Sequence, residues 1–385
     1  MDTSSFTLPS ILKEFEYIAT TPEKIANKWK RKTGGKVIGL AGLDIPEPLI
    51  HAAGMLPVVL LENDEEITLA NAHVEMHQCG YIRSLIDQAM KRKLAYCDEL
   101  LFHDCCHIIR MLGDAMHSFC DKIPKVRFVY FPPMLEYDTA QKYTATEMGK
   151  LRTRLEVMSG RIITEERLAA SIALFNRQRK MLIKLYDIRR SYPGILKGSD
   201  VSNIVAAGMC MPKEEHIALL EQLLRLLEPE KKNLILGKIP VIVHGSLCQR
   251  CDNSILNEIE VSGGVIVDDD LYVGSKYFNT LFDESLPPMD SLLEAYIHRT
   301  SPCATRYEER NPGDYLISLQ KNAKARGIIF VVVKFCEAHD YQYFLSHRKF
   351  EESGVREMLI ETEPDGKSEG QLKTRLQGFF ESLGE

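Results

Sequence analysis

Segments of alternating strand and helix character occupy two blocks of the chain, and they constrain its fold more than any other feature. In the first block, apolar runs such as "KVIGL", "MLPVVLL" and "ELLFH" alternate with helix-period segments such as "GYIRSLIDQAMKRK". The second block begins at "IPVIVHG" and continues with "VIVDDDL" and "GIIFVVVKF". Because strands that alternate with helices form parallel sheets, each block predicts one α/β unit.

The strands disappear between the two blocks. Residues 144–235 carry helix-period segments instead, such as "TEMGKLRTRLEVM" and "KEEHIALLEQLLRLL". The sequence therefore predicts two doubly wound α/β domains with parallel sheets, and helical segments at the N-terminus and between the domains. The expected boundaries are residues 1–35 for the N-terminal helices, 36–143 for the first α/β domain, 144–235 for the helical segment and 236–385 for the second α/β domain.

Charge and hydropathy argue against two classes of partner. The chain has 48 Lys and Arg residues against 54 Asp and Glu residues, a net charge of -6, so it lacks the basic footprint of a nucleic-acid-binding protein. Its apolar runs are shorter than a bilayer requires. The start "MDTSSFTLPS" does not follow the pattern of a secretory signal. We expect a cytoplasmic protein that binds neither nucleic acid nor membrane.

The ten cysteines are the most informative residues for function. Disulfides are rare in the cytoplasm, and a single cysteine usually behaves as a small buried apolar residue. Ligands of open parallel sheets, however, bind beyond the carboxyl ends of the strands. Four cysteines follow or end predicted strands (Cys105, Cys106, Cys248 and Cys336), Cys79 precedes a predicted helix, and Cys303 lies in the loop "RTSPCATRYEER".

The doubled thiol of "ELLFHDCCHIIRML" lies where a strand ends and a helix begins. Asp104 is expected to cap that helix, and the helix N-terminus favours a thiolate or an anionic group. The pair "CQRC" at 248–251 has no second pair that would complete a zinc site. Scattered thiolates without such a frame favour an iron–sulfur cluster over structural zinc.

Several segments, taken in order, resemble one known family. They include "HQCGYIRS", "ELLFHDCCHIIRML", "SGGVIVDDDLYVGSKYF", "SPCATRYEER" and "VVVKFCEAHDYQ". The chain resembles the subunits of 2-hydroxyacyl-CoA dehydratases and ATP-dependent benzoyl-CoA reductases, most closely the smaller, C-type catalytic subunit of the reductase. The resemblance implies Rossmann-like or flavodoxin-like domains, a [4Fe-4S] cluster, a related catalytic subunit in a heterodimer, an ATP-hydrolysing iron–sulfur activator with ferredoxin upstream, and an aromatic acyl-CoA substrate.

The resemblance also implies one cysteine ligand in each of three segments. Those segments carry Cys79, Cys106 and Cys303, and Cys106 is preferred over its neighbour because "CHIIR" fits the family pattern better. Two features depart from the pattern: Tyr272 occupies a position where many members carry cysteine, and the pair "CQRC" is additional. The alternative ligands are Cys105, Cys248, Cys251 and Cys336, which would suit a larger double-cubane [8Fe-9S] cluster.

Four residues are candidates for proton transfer, although residues of these types at a sheet edge more often have a structural role. They are Glu47, His103, His107 and Tyr272. The acidic run Asp268, Asp269 and Asp270 offers further carboxylates at the end of a strand. A role as a cap for the following turn explains them as well as a role in proton transfer does.

Three functions remain open at this point. The preferred one is a benzoyl-CoA reductase subunit, which carries out a low-potential, one-electron dearomatisation of an acyl-CoA. The second is a subunit of a radical (R)-2-hydroxyacyl-CoA dehydratase, a lyase. The third is a two-domain binding protein without redox chemistry.

Overall fold

Two parallel β-sheets form the frame of the molecule. The computed structural model describes residues 7–42, 44–63, 65–75, 77–120, 122–230, 237–245, 248–362 and 369–384. In those residues the first sheet contains β1 (Val37–Ala41), β2 (Leu56–Val59), β3 (Glu99–His103) and β4 (Lys125–Val129). The second contains β5 (Ile239–Gly245), β6 (Gly264–Leu271), β7 (Gly327–Val333) and β8 (Glu357–Thr362).

Both sheets have the same topology. The strand orders are β2-β1-β3-β4 and β6-β5-β7-β8, and all pairs are parallel. In each sheet the strand order reverses between the two central strands, β1 and β3 or β5 and β7, so a ligand crevice is expected beyond their carboxyl ends. These sheets confirm the predicted α/β class, while the predicted domain boundaries stay predictions.

Helices surround the two sheets and fill the segment between them. Within the described residues they are α1 (Leu8–Thr20), α2 (Pro22–Thr33), α3 (Glu47–Ala52), α4 (Gly80–Met90), α5 (His107–Phe119), α6 (Asp138–Ser159), α7 (Glu165–Ser191), α8 (Gly198–Cys210), α9 (Lys213–Glu230), α10 (Asn253–Val261), α11 (Ser275–Phe278), α12 (Pro288–Ile297), α13 (Pro312–Asn322), α14 (Glu337–Ser353) and α15 (Glu369–Gly384). In the same part of the chain, each helix falls short of the length and apolarity needed to span a membrane.

The second sheet is buried on both faces, as its continuous apolar strands predict. Val243 and Val331 belong to a core that also includes Phe380 of α15. Ile242 and Phe330, one position along each strand, belong to the core on the opposite face. The sheet is therefore packed between helices.

The middle helices join the first sheet in one continuous core, and α7 also contacts the second sheet. Arg189 of α7 donates to Asp269 at the end of β6 at 2.7 Å, with both side chains almost fully buried. Arg190 binds Asp268 of the same strand. The helical segment is thus joined to the first sheet by apolar packing and to the second sheet by charge pairs.

The three carboxylates at the end of β6 have different partners. Asp269 accepts a hydrogen bond from the backbone N–H of Ser275 at 2.9 Å, so it caps the turn before α11. Asp268 pairs with Arg190 instead, and Asp270 accepts from His244 Nδ1 at 2.8 Å. Only one of the three carboxylates therefore acts as the predicted cap.

Candidate functional site

Three helices begin immediately after a cysteine. Cys79, Cys106 and Cys336 are the N-cap residues of α4, α5 and α14. Backbone N–H groups of each first turn, those of Ile82 for Cys79 and Ile109 for Cys106 among them, act to lower the pKa of the cysteine thiol, although none of the three thiols makes a side-chain cap hydrogen bond. Because free N–H groups and the helix dipole favour negative charge at an N-terminus, all three positions suit a thiolate or an anionic ligand.

These N-cap cysteines lie together, although they come from different parts of the chain. Cys106 is close enough to Cys79 to disfavour its ionisation, and both act in the same way on Cys336. Cys248, in the loop after β5, is subject to the same effect from Cys79, Cys106 and Cys336. The crevices of the two sheets therefore face each other and share one group of thiols.

Cys105 connects this group across the two sheets. It hydrogen-bonds the thiol of its neighbour Cys106 and the thiol of Cys248. It also lies against Gly42, just past the end of β1: a Cβ at that glycine would approach its sulfur to 3.3 Å. The φ of Gly42 is +94°, so glycine is favoured there by conformation as well as by space.

The thiols are held protonated by their surroundings at neutral pH. Burial raises the pKa of Cys79 to about 11 and that of Cys336 to about 12. For Cys248 the hydrogen bond from Cys105 is the largest influence and lowers the pKa, but burial and the neighbouring thiols together outweigh it, and the pKa is about 11. The hydrogen bond with Cys105 and burial together raise the pKa of Cys106 above its ordinary range. A bound soft metal reverses this preference because it ligates the thiolate.

A cavity of about 280 Å³ opens beside the thiol group. It is lined by Asp44, His103, Asp104, Cys105, Cys106, His107, Arg110, Phe131, Pro132, Pro133, Tyr296, Cys303, Thr305 and Arg306. Cys303 accordingly faces the same space as the doubled thiol. Its sulfur lies 3.3 Å from Thr305 Oγ1, and its backbone N–H donates to Glu308 Oε1 at 3.0 Å.

Aromatic rings form one wall of the cavity. The ring centroids of Phe131 and Tyr296 are 4.7 Å apart, and that of His103 is 5.2 Å from Phe131. The guanidinium of Arg306 stacks 3.8 Å above the ring of Tyr296. Flat apolar walls with a few polar groups are typical of a small-molecule pocket.

Comparison with known proteins decides the family. The family model for the 2-hydroxyglutaryl-CoA dehydratase D-component matches residues 43–383. The chain belongs to this family. It is 30% identical over 320 residues to the C-type subunit of benzoyl-CoA reductase from Thauera aromatica, an alignment that covers 81% of this chain and 82% of that protein. It is 28% identical over 371 residues to the (R)-phenyllactyl-CoA dehydratase beta subunit of Clostridium sporogenes, at 96% and 98% coverage. The match confirms the resemblance found in the sequence.

For a member of the dehydratase D-component family, the donor set fits an iron–sulfur cluster. In the described part of the chain, no three His, Cys, Asp or Glu side chains come close enough to hold a single metal ion. Thiolates that bind a multi-iron cluster each bind a different iron atom, so their sulfurs need not meet at one point. Cysteines at three helix N-termini, of which Cys79 is buried and Cys106 and Cys336 are half-buried, satisfy that looser requirement.

Of the sequence-predicted ligands, the structure brings Cys79 and Cys106 together and places Cys303 on the adjoining cavity. Among the alternatives, Cys105, Cys248 and Cys336 join the thiol group. Cys251 lies apart, in the core beneath the second sheet, where burial raises its pKa.

The proton-transfer candidates have different surroundings. Glu47 is buried in an ion pair with Lys213 at 2.9 Å and accepts from Tyr277 at 3.1 Å. Tyr272 donates to the carbonyl oxygen of Gly42 at 3.2 Å, and burial raises its pKa well above the ordinary value. His103 and His107 line the cavity, where His107 is exposed. Of the four candidates for proton transfer, the two histidines are the ones that line the cavity.

The predicted cap of α5 is wrong. Asp104 does not cap this helix: its carboxylate binds the guanidinium of Arg110 through two hydrogen bonds, and Cys106 takes the N-cap position. A bidentate, charge-assisted pair with arginine outcompetes a single bond to a backbone N–H. The N-terminus of α5 is therefore left without a side-chain cap hydrogen bond.

Sequence patterns missed one charged group of the site. Asp44 lies just past β1 and binds both Arg299 and Arg306. Burial raises the pKa of Asp44, but the two arginines outweigh it and hold the pKa below its ordinary value. The available signal was the pair of arginines that flank Cys303 in "RTSPCATRYEER".

Proposed function

We propose that the chain is the iron–sulfur subunit of an enzyme that acts on an aromatic acyl-CoA, with ATP-dependent benzoyl-CoA reduction as the preferred reaction. The observation that carries the proposal is the meeting of three N-cap cysteines between two facing sheets. When bound, the [4Fe-4S] cluster supplies or accepts single electrons at low potential. The chain's own residues bind it, keep water out and shape the adjoining cavity.

Cys79, Cys106 and Cys336 are the ligand set that the geometry supports best. Each is a helix N-cap, and they lie close together: Cys106 disfavours the ionisation of Cys79, and both disfavour that of Cys336. Cys303, the third ligand implied by the sequence, lacks that helix-terminal position and lies on the cavity wall. The larger [8Fe-9S] cluster remains the alternative, supported by the contacts of Cys105 with Cys106 and Cys248.

The aromatic lining of the cavity favours an aromatic acyl group as the substrate. A phenyl ring would meet the edges and faces of Phe131, Tyr296 and His103, and such aromatic contacts contribute about 0.5–1.5 kcal/mol each beyond burial. Both relatives compared above are named for substrates with a phenyl ring. His107 and His103 are the groups placed to donate a proton into this space.

The relatives are named as subunits, so we propose partners as well. They are a related catalytic subunit in a heterodimer and an ATP-hydrolysing iron–sulfur activator that receives its electrons from ferredoxin.

A dehydratase is the second candidate reaction. The phenyllactyl-CoA dehydratase subunit aligns with 96% of this chain, against 81% for the reductase subunit. Loss of water from a 2-hydroxyacyl-CoA uses the same low-potential electron and the same kind of pocket, but the electron returns at the end of the cycle. A binding protein without redox chemistry is the third.

The test is an anaerobic assay of the complex of this chain with its partner subunit and activator. We expect net electron consumption with benzoyl-CoA and ATP. Water loss from (R)-phenyllactyl-CoA without net electron consumption would establish the lyase instead. A colourless complex without iron that turns over neither substrate would contradict both enzymes and leave the binding protein.

A further inference from the structure

Two buried guanidinium groups share one carboxylate beside the thiol cavity. Arg306 donates to Asp44 Oδ2 at 2.8 Å, and Arg299 binds the same oxygen. The side chains of Arg299 and Arg306 are 6% and 5% exposed, so water does little to screen them. This trio carries one more positive charge than negative charge.

The neighbouring charges do not remove that surplus. In the described residues they pair one to one: Arg310 with Glu308, Lys276 with Asp270 and Lys213 with Glu47. Arg179 is half-buried nearby, where it donates to the carbonyl oxygen of Thr280 and stacks 4.1 Å from the ring of Phe282. No carboxylate of the described residues lies within ion-pair distance of Arg179, so it adds a second uncompensated charge.

A buried surplus of positive charge is unfavourable unless an anion lies close by. Arg306 lines the same cavity as Cys105, Cys106 and Cys303. Arg299 in turn is close enough to Cys303 for a negative charge there to raise the arginine's pKa. The anion that this surplus favours therefore belongs on the thiol side of the cavity.

We propose that Arg299, Asp44 and Arg306 set the reduction potential of the cluster that this subunit holds, with Arg306 as the main positioning residue. The inference rests on the proposed function. A cluster bound by three thiolates is anionic, and one electron taken from an external reductant adds one further negative charge. Nearby cations stabilise that added charge, so they raise the potential and favour an electron-accepting, electron-storing centre in this subunit.

The experiment is a redox titration of the anaerobically purified complex, with Ti(III) citrate as reductant and electron paramagnetic resonance as readout. The signal of this subunit is the component that disappears in Cys106→Ser. Arg306→Gln should shift its midpoint to a more negative potential, and Arg306→Lys, which keeps the charge, should leave it near that of the wild type. Asp44→Asn should shift it to a more positive potential.

The double variant Asp44→Asn/Arg306→Gln restores the original net charge and should return the midpoint towards the wild type. Arg177→Gln is the control for the substitution itself, because Arg177 is 61% exposed on α7. Shifts of opposite sign distinguish an electrostatic role from a loosened fold, which would move both single variants in one direction. If Asp44→Asn does not fold, the contrast between Arg306→Gln and Arg306→Lys decides the matter.

Two failures are separable. A complex in which Cys106→Ser removes no signal contradicts the proposed cluster itself. A signal that is present but has the same midpoint in Arg306→Gln and in the wild type overturns this inference alone.

Discussion

Cys336 shows how much the position of one residue decides at this site. It ends the loop after β7 and begins α14, so its sulfur lies at a helix N-terminus as well as at a sheet crevice. The preceding residue, Phe335, has a φ of +68°, in the left-handed region that residues with a bulky side chain avoid. Backbone strain of this kind collects at functional sites, where the surrounding structure holds it in place.

We predict that serine at Cys79, Cys106 or Cys336 removes most of the iron and acid-labile sulfide of this subunit. Serine keeps the volume of the side chain but replaces a soft thiolate with a hard hydroxyl that ionises poorly. Cys303→Ser should retain the iron, since Cys303 lies in a loop and lacks the helix N-terminal position of the other three cysteines. Iron retained by Cys336→Ser and lost by Cys303→Ser would restore the ligand set implied by the sequence.

The doubled thiol permits a matched comparison. Both residues precede α5, and Cys106 takes its N-cap position with an extended backbone (φ −152°, ψ 158°), whereas Cys105 faces Cys248 as well as Cys106. We expect Cys105→Ser to lose little iron and Cys106→Ser to lose most of it, as measured in the anaerobically purified complex. Equal, partial losses would favour the larger cluster, with both thiols bound to iron.

Local patterns predicted the cysteines of the site but not its arginines. A thiol after an apolar strand is visible in the sequence, because strand ends and helix starts have short-range signals. Asp44 and Arg299 are 255 residues apart and meet only after both halves of the chain have folded. Asp104 was misassigned for a related reason, since a cap signal does not reveal which competing partner a carboxylate finds.

At the scale of elements, hydrophobic periodicity does not predict helix α8. All its residues, Gly198–Cys210, are buried or nearly so, and the segment "SNIVAAGMC" has no polar stripe. A helix that is apolar all round has no amphipathic signal. The strands of both sheets, by contrast, lie within a few residues of the predicted positions because short apolar runs bounded by turns define them.

A buried histidine of α9, His216, links this helix to α8 and α7 through two hydrogen bonds. His216 Nε2 donates to the carbonyl oxygen of Ile204 at 2.9 Å, so its Nδ1 is the acceptor that faces the amide of Gln178 at 2.9 Å. Burial lowers the pKa of His216 to about 3, although the bond to Ile204 opposes the shift. The folded protein therefore keeps this imidazole neutral far below the pH at which the unfolded chain protonates it.

We predict an acid-labile contribution from His216. Above a pH of about 6.5 both states are neutral and the stability is complete. As the pH falls towards 3, the unfolded state binds a proton that the folded state refuses, and the free energy of unfolding drops by about 1.4 kcal/mol per pH unit. Urea unfolding at several pH values should show this slope, reduced in His216→Gln.

The other groups that titrate in this range are common to both proteins, so the difference between the two slopes isolates His216. Identical slopes for the wild type and His216→Gln would contradict the assignment.

At the scale of the whole molecule, the two sheets have the same strand order, and the crevices at their strand ends face each other. The thiols lie where these crevices meet. The alternation of strands and helices was enough to predict both sheets and to place several cysteines at the carboxyl ends of their strands. It could not predict that the two edges face each other, because that depends on buried pairs such as Arg189 with Asp269.

We predict that this chain is inactive alone. Helix α14, which begins at the thiol group, exposes 74% of Tyr341, 69% of Phe344 and 50% of Leu345, an apolar surface suited to a partner. Activity with the activator, ATP and an aromatic acyl-CoA should require the related subunit, as a titration of one subunit against the other would show. Full turnover by the isolated chain would contradict this expectation.

The most direct test of the central claim compares the iron content of two complexes, one with the wild-type chain and one with Cys79→Ser/Cys106→Ser/Cys336→Ser. Both are purified anaerobically with the same partner, whose own iron cancels in the difference. A bound [4Fe-4S] cluster predicts that the triple variant lacks about four iron atoms and a similar amount of acid-labile sulfide per chain. Equal iron and sulfide in the two complexes would contradict the assignment of the cluster to these thiols.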